Sequence, residues 1–333
     1  MIISRTPHRI SFFGGGTDYP DYYLRHCGKV LGTCVDKYCY LSVRRLPPFF
    51  DHKHRIVYSK IENVSDINTI MHPSVRETLK YFKVDYGVSI HHDGDIPARS
   101  GMGSSSAFTV GLIHSLYALQ GRIASKDDLM RESIYIEQEL IKENVGSQDQ
   151  TFAAHGGLNV INFLANGKII VEPIIIKPER LVEFERSLVL IYTGISRIAS
   201  EVAGDKIKNI SKNEKNLTQM KDMVDEAYDI LVNSGRDLRE FGQLMNQSWL
   251  LKKTLSNRVS NSEIDSIYER AMNSGAIGGK LLGAGGGGFM VFFVEQERQN
   301  SFKQELNDYL HVPFSFDFDG SKIIVYQPQR RPQ

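Results

Sequence analysis

The sequence predicts an α+β protein built from two domains, and three observations support this. With 333 residues, of which 41% are hydrophobic, the chain can bury two cores of ordinary size. Strand signals fill the first third of the chain, and helical signals begin at residue 104. Apolar strand residues return at about 185 to 190 and a second mixed region follows, so the predicted domains are residues 1–187 and 188–333.

The predicted elements follow from hydrophobic periodicity. Alternation of apolar and polar residues predicts two strands in the first third, LGTCVDKYCYLSVRRL and YGVSIHHDGDI. Helical spacing predicts a helix over SSSAFTVGLIHSLYALQG, which Gly121 ends, and Ser125 and Asp128 form a capping box for the next helix. Strands return at GGLNVINF, GKIIVEPIII and SLVLIYTG, and a mostly helical region over residues 198–275 leads to the strand FMVFFVE.

Charge and cysteine content exclude several function classes. Forty basic and thirty-nine acidic residues give a net charge of +1, which provides no field for attracting nucleic acid or an anionic membrane. Cys27, Cys34 and Cys39 lack a C-x-x-C pair, which disfavours a disulfide framework or a zinc site. No apolar run approaches the ~20 residues of a membrane span, so we expect a soluble, cytoplasmic protein. The sequence does not indicate an oligomeric state.

The segment PARSGMGSSSA, residues 97–107, predicts a phosphate-binding loop. Gly101 and Gly103 lead three serines into the first turn of a helix, where free backbone N–H groups and the positive end of the helix dipole coincide. The segment lacks the lysine of a Walker A loop and the period of a dinucleotide fingerprint. A simple helix cap would account for one serine, but not for three serines and two glycines.

Two further glycine clusters flank this loop in the sequence. Gly14, Gly15 and Gly16 directly follow the apolar run of HRISFF, and KLLGAGGGGFMVFFV occupies residues 280–294. Glycine costs conformational entropy on folding, so such a cluster marks a strained turn or a ligand held against the backbone. Each cluster taken alone is more typical of an ordinary turn.

Two acidic residues complete the pattern. Glu137 lies between Ile134 and Ile141 on the apolar face of the second helix, and Asp149 follows in the polar segment VGSQDQTFAAHGG. An isolated glutamate on such a face more often forms hydrogen bonds at the edge of a core. Two acids beside a phosphate-binding helix suit phosphoryl transfer, with one holding a metal ion and the other facing the nucleophile.

These segments resemble, in order, the three motifs of the GHMP kinase superfamily, named for galactose, homoserine, mevalonate and phosphomevalonate kinases. RTPHRISFFGGGTDYPDYY resembles the substrate motif, PARSGMGSSSA the nucleotide phosphate loop, and KLLGAGGGG the C-terminal motif. The resemblance implies an N-terminal domain like domain 2 of ribosomal protein S5 and a C-terminal ferredoxin-like domain. It also implies a small-molecule kinase that uses ATP and Mg2+.

The resemblance assigns roles to single residues. Asp149 matches the aspartate that accepts the proton of the substrate hydroxyl, and Arg9 matches an arginine that stabilises charge beside it. Ser105 and Glu137 match the magnesium ligands, with Glu139 as the alternative to Glu137. The implied nucleotide-binding residues are Arg99, Ser100, Gly101, Met102, Gly103, Ser104 and Ser105. The implied substrate-binding residues are Gly14, Gly15, Gly16, Thr17, Asp18, Gly285, Gly286 and Arg197.

A departure from the galactokinase pattern bears on the substrate. Galactokinases carry G-E-H-T-D where this chain has G-G-G-T-D, so Gly15 and Gly16 replace two side chains that would hold galactose. Asp18 is expected to accept hydrogen bonds from sugar hydroxyls, and the glycines are expected to let the ring rest on the backbone. FFGGGTDYPDYY and LIYTGISRIASEV resemble bacterial D-glycero-D-manno-heptose 7-phosphate kinases, which phosphorylate the anomeric hydroxyl toward nucleotide-activated heptose.

A substrate that already carries a phosphate needs a second cationic site. The residues considered for it are Arg44, Arg45, His52, Lys53, Arg55 and Arg197, of which Arg197 is preferred. A fucose or galactose 1-kinase would share every motif and lack this second site. A non-catalytic sensor on the same fold would be expected to lose Asp149 or Ser105, and both are present.

Overall fold

The computed structural model describes residues 1–98, 100–195 and 212–328, and these ranges form two sheets with helices packed on them. The strands in chain order are β1 (Ile2–Phe13), β2 (Gly28–Arg45), β3 (His54–Val57), β4 (Ile61–Val64), β5 (Val88–Gly94), β6 (Leu158–Phe163), β7 (Ile169–Pro173), β8 (Leu188–Tyr192), β9 (Ala276–Leu281), β10 (Phe289–Val294), β11 (Leu310–His311), β12 (Phe316–Asp317) and β13 (Lys322–Tyr326).

The helices are numbered along the same ranges. They are α1 (Pro20–His26), α2 (Pro73–Tyr81), α3 (Ser104–Leu119), α4 (Lys126–Tyr135), α5 (Gln148–His155), α6 (Pro178–Arg186), α7 (Glu214–Val232), α8 (Arg239–Lys253), α9 (Ser262–Asn273) and α10 (Gln299–Glu305). None of the helices in the described ranges is long and apolar enough to span a lipid bilayer.

The long strand β2 is the centre of the larger sheet. Its 18 residues pair antiparallel with β1 over most of their length, and its two halves pair with β6 and β5. The sheet continues from β5 through β3 to β4, and the contact of β3 with β5 is parallel. This arrangement carries β1, with Arg9 near its end, into the middle of the molecule.

The second sheet has four antiparallel strands in the order β11, β8, β10, β9. After β11 the chain returns to the larger sheet, where β13 pairs with β1 and β12 pairs with β2. The sheet that begins the chain therefore also contains β12 and β13, which lie within the predicted C-terminal domain, residues 188–333.

The apolar run before the glycine triplet packs against the C-terminal part of the chain. The ring of Phe12 lies 5.6 Å from that of Phe184 and 5.5 Å from that of Phe241, and all three side chains are fully buried. Aromatic rings at such distances stabilise one another beyond the area that they bury. This cluster fixes the end of β1, and so the glycine triplet, against α6 and α8.

The helices that frame the centre of the chain agree with their sequence signals. α3 is buried over most of its surface and is followed by Gly121 in a left-handed conformation, as predicted. The capping box of α4 is confirmed, because Ser125 and Asp128 make both reciprocal hydrogen bonds. The predicted helix then continues as a π-helical segment, Ile136–Leu140, which contains Glu137. Such segments are rare and occur frequently at functional sites.

Gly14 provides a test of why the chain needs glycine after β1. Its φ is +78°, and a Cβ atom there would lie 1.9 Å from the carbonyl oxygen of Lys29. Gly121 has a similar φ of +72°, with no atom within 4 Å of an added Cβ. We expect Gly14→Ala to lower the free energy of unfolding by roughly 3 kcal/mol or more and Gly121→Ala by about 1 kcal/mol. Urea denaturation of both variants measures the difference, and equal losses would contradict a steric role for Gly14.

Candidate active site

Four loops meet around a cavity of about 250 Å³ between the two sheets. They are the turn after β1, the loop before α3, the loop before α5 and the glycine-rich loop between β9 and β10. The residues that line the cavity are Arg9, Ser11, Gly15, Gly16, Asp18, Tyr19, Gly101, Gly103, Ser104, Ser105, Glu143, Asn144, Val145, Gly146, Gln148, Asp149, Lys252, Lys280, Gly283 and Ala284.

Arg9 and Asp149 form a two-pronged ion pair at the cavity wall. Arg9 Nε donates to Asp149 Oδ1 at 2.9 Å, and Nη2 donates to Oδ2 at 2.8 Å. Nη1 donates to the carbonyl oxygen of Gly101 at 2.6 Å. The backbone N–H of Arg9 donates to the carbonyl oxygen of Met102 at 3.1 Å. Both residues line the cavity, and the Arg9 side chain is only 5% exposed, against 26% for Asp149, so the carboxylate is the more accessible partner.

The loop before α3 presents backbone donors to the cavity. Gly103 is the N-cap of α3 in a left-handed conformation, and no side chain caps it. The first N–H groups of a helix have no partner within the helix, and Gly103, Ser104 and Ser105 line the cavity. The loop therefore leads into the helix N-terminus predicted from PARSGMGSSSA, and such a terminus suits an anion. Met102 is fully buried and Ser100 nearly so, which makes them the anchor of the loop.

The C-terminal glycine loop packs directly on the phosphate loop. A Cβ atom on Gly283 would lie 2.6 Å from Gly101 Cα, and one on Gly101 would lie 2.8 Å from the Leu282 carbonyl oxygen. Gly283 and Ala284 line the cavity, whereas the sequence-predicted Gly285 and Gly286 are not among its lining residues. Gly285 and Gly286 instead pack against Val259, whose carbonyl accepts a hydrogen bond from the Gly286 N–H.

The three glycines after β1 have two different roles: some line the cavity, and one shapes the loop. Gly15 and Gly16 line the cavity, and a Cβ atom on Gly15 would make ordinary contacts with Ser11 Oγ at 3.8 Å and Gln148 Nε2 at 3.9 Å. Gly14 is pressed against the Lys29 carbonyl, and the buried Thr17 hydroxyl lies 2.9 Å from the carbonyl oxygens of both Gly14 and Lys29. Gly14 and Thr17 therefore shape the loop, and they are not among the lining residues.

Asp18 lies at the base of the cavity between two loops. Its Oδ1 accepts a hydrogen bond from the Gly16 N–H at 2.9 Å, and its Oδ2 accepts from the Gln148 N–H at 3.4 Å. Burial raises the pKa of Asp18, and the nearby charge of Asp149 raises it further. A Cβ atom on Gly146 would overlap Asp18 Oδ2 at 1.9 Å, so the loop before α5 can close over this carboxyl group.

Glu137 is buried behind the first turn of α3. Its Oε2 accepts hydrogen bonds from the Ser106 hydroxyl at 2.9 Å and from Gln150 Nε2 at 2.5 Å, and Oε1 has no partner among the described residues. Burial raises its pKa to about 7. Ser105 is exposed at the cavity wall, whereas Glu137 is not among the lining residues. Glu139 points to solvent.

Some lining residues were not predicted from the sequence. Lys252 Nζ donates to the carbonyl oxygens of Leu281 and Gly283, and Lys280 Nζ donates to that of Phe12. Both lysines are at most 5% exposed. No motif marks Lys252, because only the fold brings α8 to this place. Tyr19 could have been inferred, since it directly follows Asp18 in the sequence.

Other predicted residues lie elsewhere. Arg99 and Arg197 fall outside the described residues. Five other cationic residues were considered for binding the phosphate that the substrate already carries. None of them is among the described residues that line this cavity: Arg44, Arg45, His52, Lys53 and Arg55.

The cavity thus combines a helix N-terminus with a carboxylate that is held by an arginine. The family description "GHMP kinases N terminal domain" matches residues 69–157, and "GHMP kinases C terminal" matches residues 214–312. The chain therefore belongs to the GHMP kinases and has their two-domain fold, as predicted.

Relatives of known name place the chain among the sugar kinases of this family. It is 31% identical to D-glycero-alpha-D-manno-heptose 7-phosphate kinase of Campylobacter jejuni, over 96% of this chain and 98% of the relative. It is 26% identical to a galactokinase of Clostridium tetani, over 97% and 89% of the two chains. The crystal structure of a D-glycero-D-manno-heptose 1-phosphate kinase from Bacteroides thetaiotaomicron has the same fold, with a TM-score of 0.79 and 23% identity over 96% and 98% of the chains.

Glu137 gives a pH-dependent test of this geometry. Because the pKa of Glu137 is raised from 4.5 to about 7, the folded protein holds a proton that the unfolded chain releases, and stability falls as the pH rises through this range. Glu137→Gln removes this titration. Between pH 5 and pH 8 without Mg2+, we expect the variant to gain roughly 2 to 3 kcal/mol of unfolding free energy relative to wild type. Chemical denaturation at the two pH values checks this, and parallel pH profiles would contradict the buried, protonated carboxyl group.

Proposed function

We propose that this protein transfers the γ-phosphoryl group of ATP to the anomeric hydroxyl of D-glycero-D-manno-heptose 7-phosphate, giving the 1,7-bisphosphate for nucleotide-activated heptose biosynthesis. The observation that carries the proposal is the 31% identity with the named heptose 7-phosphate kinase over nearly the whole of both chains. The sequence G-G-G-T-D, where galactokinases have G-E-H-T-D, supports the proposal. Gly15 and Gly16 line the cavity, and the missing side chains leave room for a larger sugar.

GHMP kinases use ATP as the phosphate donor, and the loop before α3 suits its phosphates. The N-terminus of α3, where no side chain caps Gly103, and the positive end of the α3 dipole would attract the β- and γ-phosphates. Gly101 and Gly103 allow the backbone to approach them without side chains in the way. The contact of Gly283 with Gly101 lets the C-terminal domain close this side of the site.

Asp149 is the residue that we expect to receive the proton of the acceptor hydroxyl. The anomeric O–H bond breaks as its oxygen forms a bond to the γ-phosphorus, the proton passes to Asp149, and ADP leaves with the electrons of the broken P–O bond. Arg9 holds the Asp149 carboxylate in one orientation through two hydrogen bonds. Its guanidinium also offsets the negative charge that the transferring group brings into the site.

Mg2+ is the cofactor that the family implies, and Ser105 and Glu137 fit it. Mg2+ is commonly held by one or two carboxylates together with substrate phosphates, and the described residues contain no cluster of three or more histidine, cysteine or acidic side chains suited to a metal ion. Glu137 would offer its Oε1 atom, which has no partner among the described residues, and Ser105 would offer its exposed hydroxyl at the cavity wall. When bound, the ion neutralises charge on the phosphates.

The charge of the cavity suits two phosphorylated ligands. Lys252 and Lys280 bring two ammonium groups to a wall that already carries Arg9. Three carboxyl groups line the same cavity, those of Asp18, Glu143 and Asp149, and burial raises the pKa of Asp18. The three cationic groups would offset part of the charge that a sugar phosphate and ATP bring into the cavity.

Asp149→Asn tests the role of the base. The amide keeps the shape of the side chain but accepts no proton, so kcat should fall roughly a hundred- to ten-thousand-fold, with ATP affinity nearly unchanged. The buried guanidinium of Arg9 also loses its charged partner, so stability should fall as well. Steady-state kinetics, nucleotide titration and chemical denaturation of the same variant measure the three effects.

Asp317→Asn is the matched control for that experiment. Asp317 is a buried carboxylate that accepts hydrogen bonds from Tyr38 and Gly320, and it is absent from the cavity lining. It should lose stability and retain kcat when assayed below its unfolding transition. A folded Asp149→Asn protein with turnover within about twofold of wild type would contradict the assignment of the base.

A substrate panel tests the acceptor. We expect kcat/KM for heptose 7-phosphate to exceed that for heptose, fucose and galactose by at least about a hundredfold, because the lost phosphate contacts lower both binding and orientation. A coupled assay of ADP release compares the four sugars. Equal values for heptose and its 7-phosphate would exclude a dedicated phosphate pocket, and a preference for fucose or galactose would reassign the enzyme to another sugar 1-kinase.

A further inference from the structure

A second cavity of about 330 Å³ lies on the outer face of the larger sheet. It shares no lining residue with the cavity of Asp149. Its lining comes from β2, β3, β5 and the segment between β2 and β3, namely Met1, Ser42, Arg44, Leu46, Phe50, His52, Arg55, Ser89 and His91.

The strand register explains why these side chains meet. Arg44 of β2 and Arg55 of β3 both pair with Ser89 of β5, so the three residues form one row across three strands on the same face. Ser42 pairs with His91 in a neighbouring row, two residues along each strand. The intervening residues of β2 and β5, such as Val43 and Ile90, are buried in the core that contains α3, so the row faces away from α3.

The two arginines of this row have no partner in the described part of the chain. Neither Arg44 nor Arg55 makes a hydrogen bond or an ion pair there. Glu62 belongs to the opposite face, since its strand partner is the buried Ile56, and its carboxylate accepts hydrogen bonds from Tyr58 and from backbone N–H groups. The cavity therefore concentrates guanidinium groups that no carboxylate of the described sheet neutralises.

Two histidines, His52 and His91, also line this second cavity. Burial and the charges of Arg55 and Arg44 lower the pKa of His91. The ring of His52 lies 5.5 Å from that of Phe50, and its Nε2 is buried without a partner among the described residues. The carboxylate beside His52, that of Asp51, lies 3.1 Å from Nδ1 and is fully exposed to solvent. An anion in the cavity would meet unsatisfied donors and an excess of positive charge.

We propose that Arg44 and Arg55 bind a phosphate ester of a small molecule at a site separate from the catalytic cavity. Neighbouring strands are about 4.8 Å apart, so the two arginines start roughly 10 Å apart, and their long side chains can close on one or two phosphoryl groups between them. Guanidinium groups recognise phosphate through paired hydrogen bonds. Ser42 adds a hydroxyl, the buried Ser89 hydroxyl is hydrogen-bonded to His91 Nε2 at 3.1 Å, and the half-exposed Phe50 offers an apolar wall to the organic part of the ligand.

Calorimetric titration with inorganic pyrophosphate and with glucose 6-phosphate tests this site. The protein is first saturated with Mg2+ and a non-hydrolysable ATP analogue, so that the nucleotide part of the catalytic cavity is filled. We expect Arg44→Gln/Arg55→Gln to bind at least one of the two probes roughly tenfold or more weakly than wild type does. Turnover without added probe should stay within about twofold of wild type, because neither residue lines the catalytic cavity.

Arg131→Gln/Lys303→Gln is the matched control, since it removes the same charge from two exposed positions on other elements. This control should bind the probes as wild type does. Unchanged binding by the Arg44/Arg55 variant overturns the proposal, and so does an equal loss in the control, which would indicate general electrostatics. Arg44→Ala/Arg55→Ala repeats the test if the glutamine variant does not fold. Analytical ultracentrifugation tests whether this face is a protein interface instead. If the wild type is a dimer that binds neither probe, and only the Arg44/Arg55 variant is monomeric, the proposal of a phosphate site is overturned.

Discussion

The hydrogen bonds of Arg9 set the geometry on which the rest of the site depends. One guanidinium holds both oxygens of Asp149 and the carbonyl of Gly101, while the Arg9 backbone holds Met102. The proposed base and the proposed phosphate loop are thereby fixed to the same residue of β1. A buried guanidinium needs its partners, because an unpaired charge in a protein interior is strongly destabilising. The same contacts therefore stabilise this region and hold in place the groups that we propose for phosphoryl transfer.

Backbone contacts between the two halves of the chain complete this arrangement. Gly283 approaches Gly101 so closely that neither position tolerates a side chain, and the carbonyl of Ser100 accepts a hydrogen bond from the N–H of Phe289. The aromatic cluster of Phe12, Phe184 and Phe241 holds β1 against α6 and α8. The return of β12 and β13 to the larger sheet adds a further connection. The cavity thus exists only because the two domains are packed together, and both contribute lining residues.

The sequence predicted those features that are local in the chain and left out those that depend on long-range packing. The helix after PARSGMGSSSA, its end at Gly121 and the capping box at Ser125 follow from short-range signals, and the structure confirms them. The glycine clusters could be recognised in the sequence, but the roles of the single glycines could not. A Cβ atom would clash with Lys29 at Gly14 and with Val259 at Gly285, and both neighbours are distant in the sequence. Lys252 carries no local signal, and the pairing of β13 with β1 joins the two ends of the chain.

The most direct measurement is a crystal structure with Mg2+, a non-hydrolysable ATP analogue and the heptose 7-phosphate bound together. Our account predicts that the anomeric hydroxyl lies within about 3.2 Å of an Asp149 oxygen while the ion pair with Arg9 persists, with the γ-phosphate against the N-terminus of α3. If the anomeric hydroxyl instead contacts Asp18, or if Asp149 contacts only Arg9 in the complete complex, the central claim about the base is contradicted.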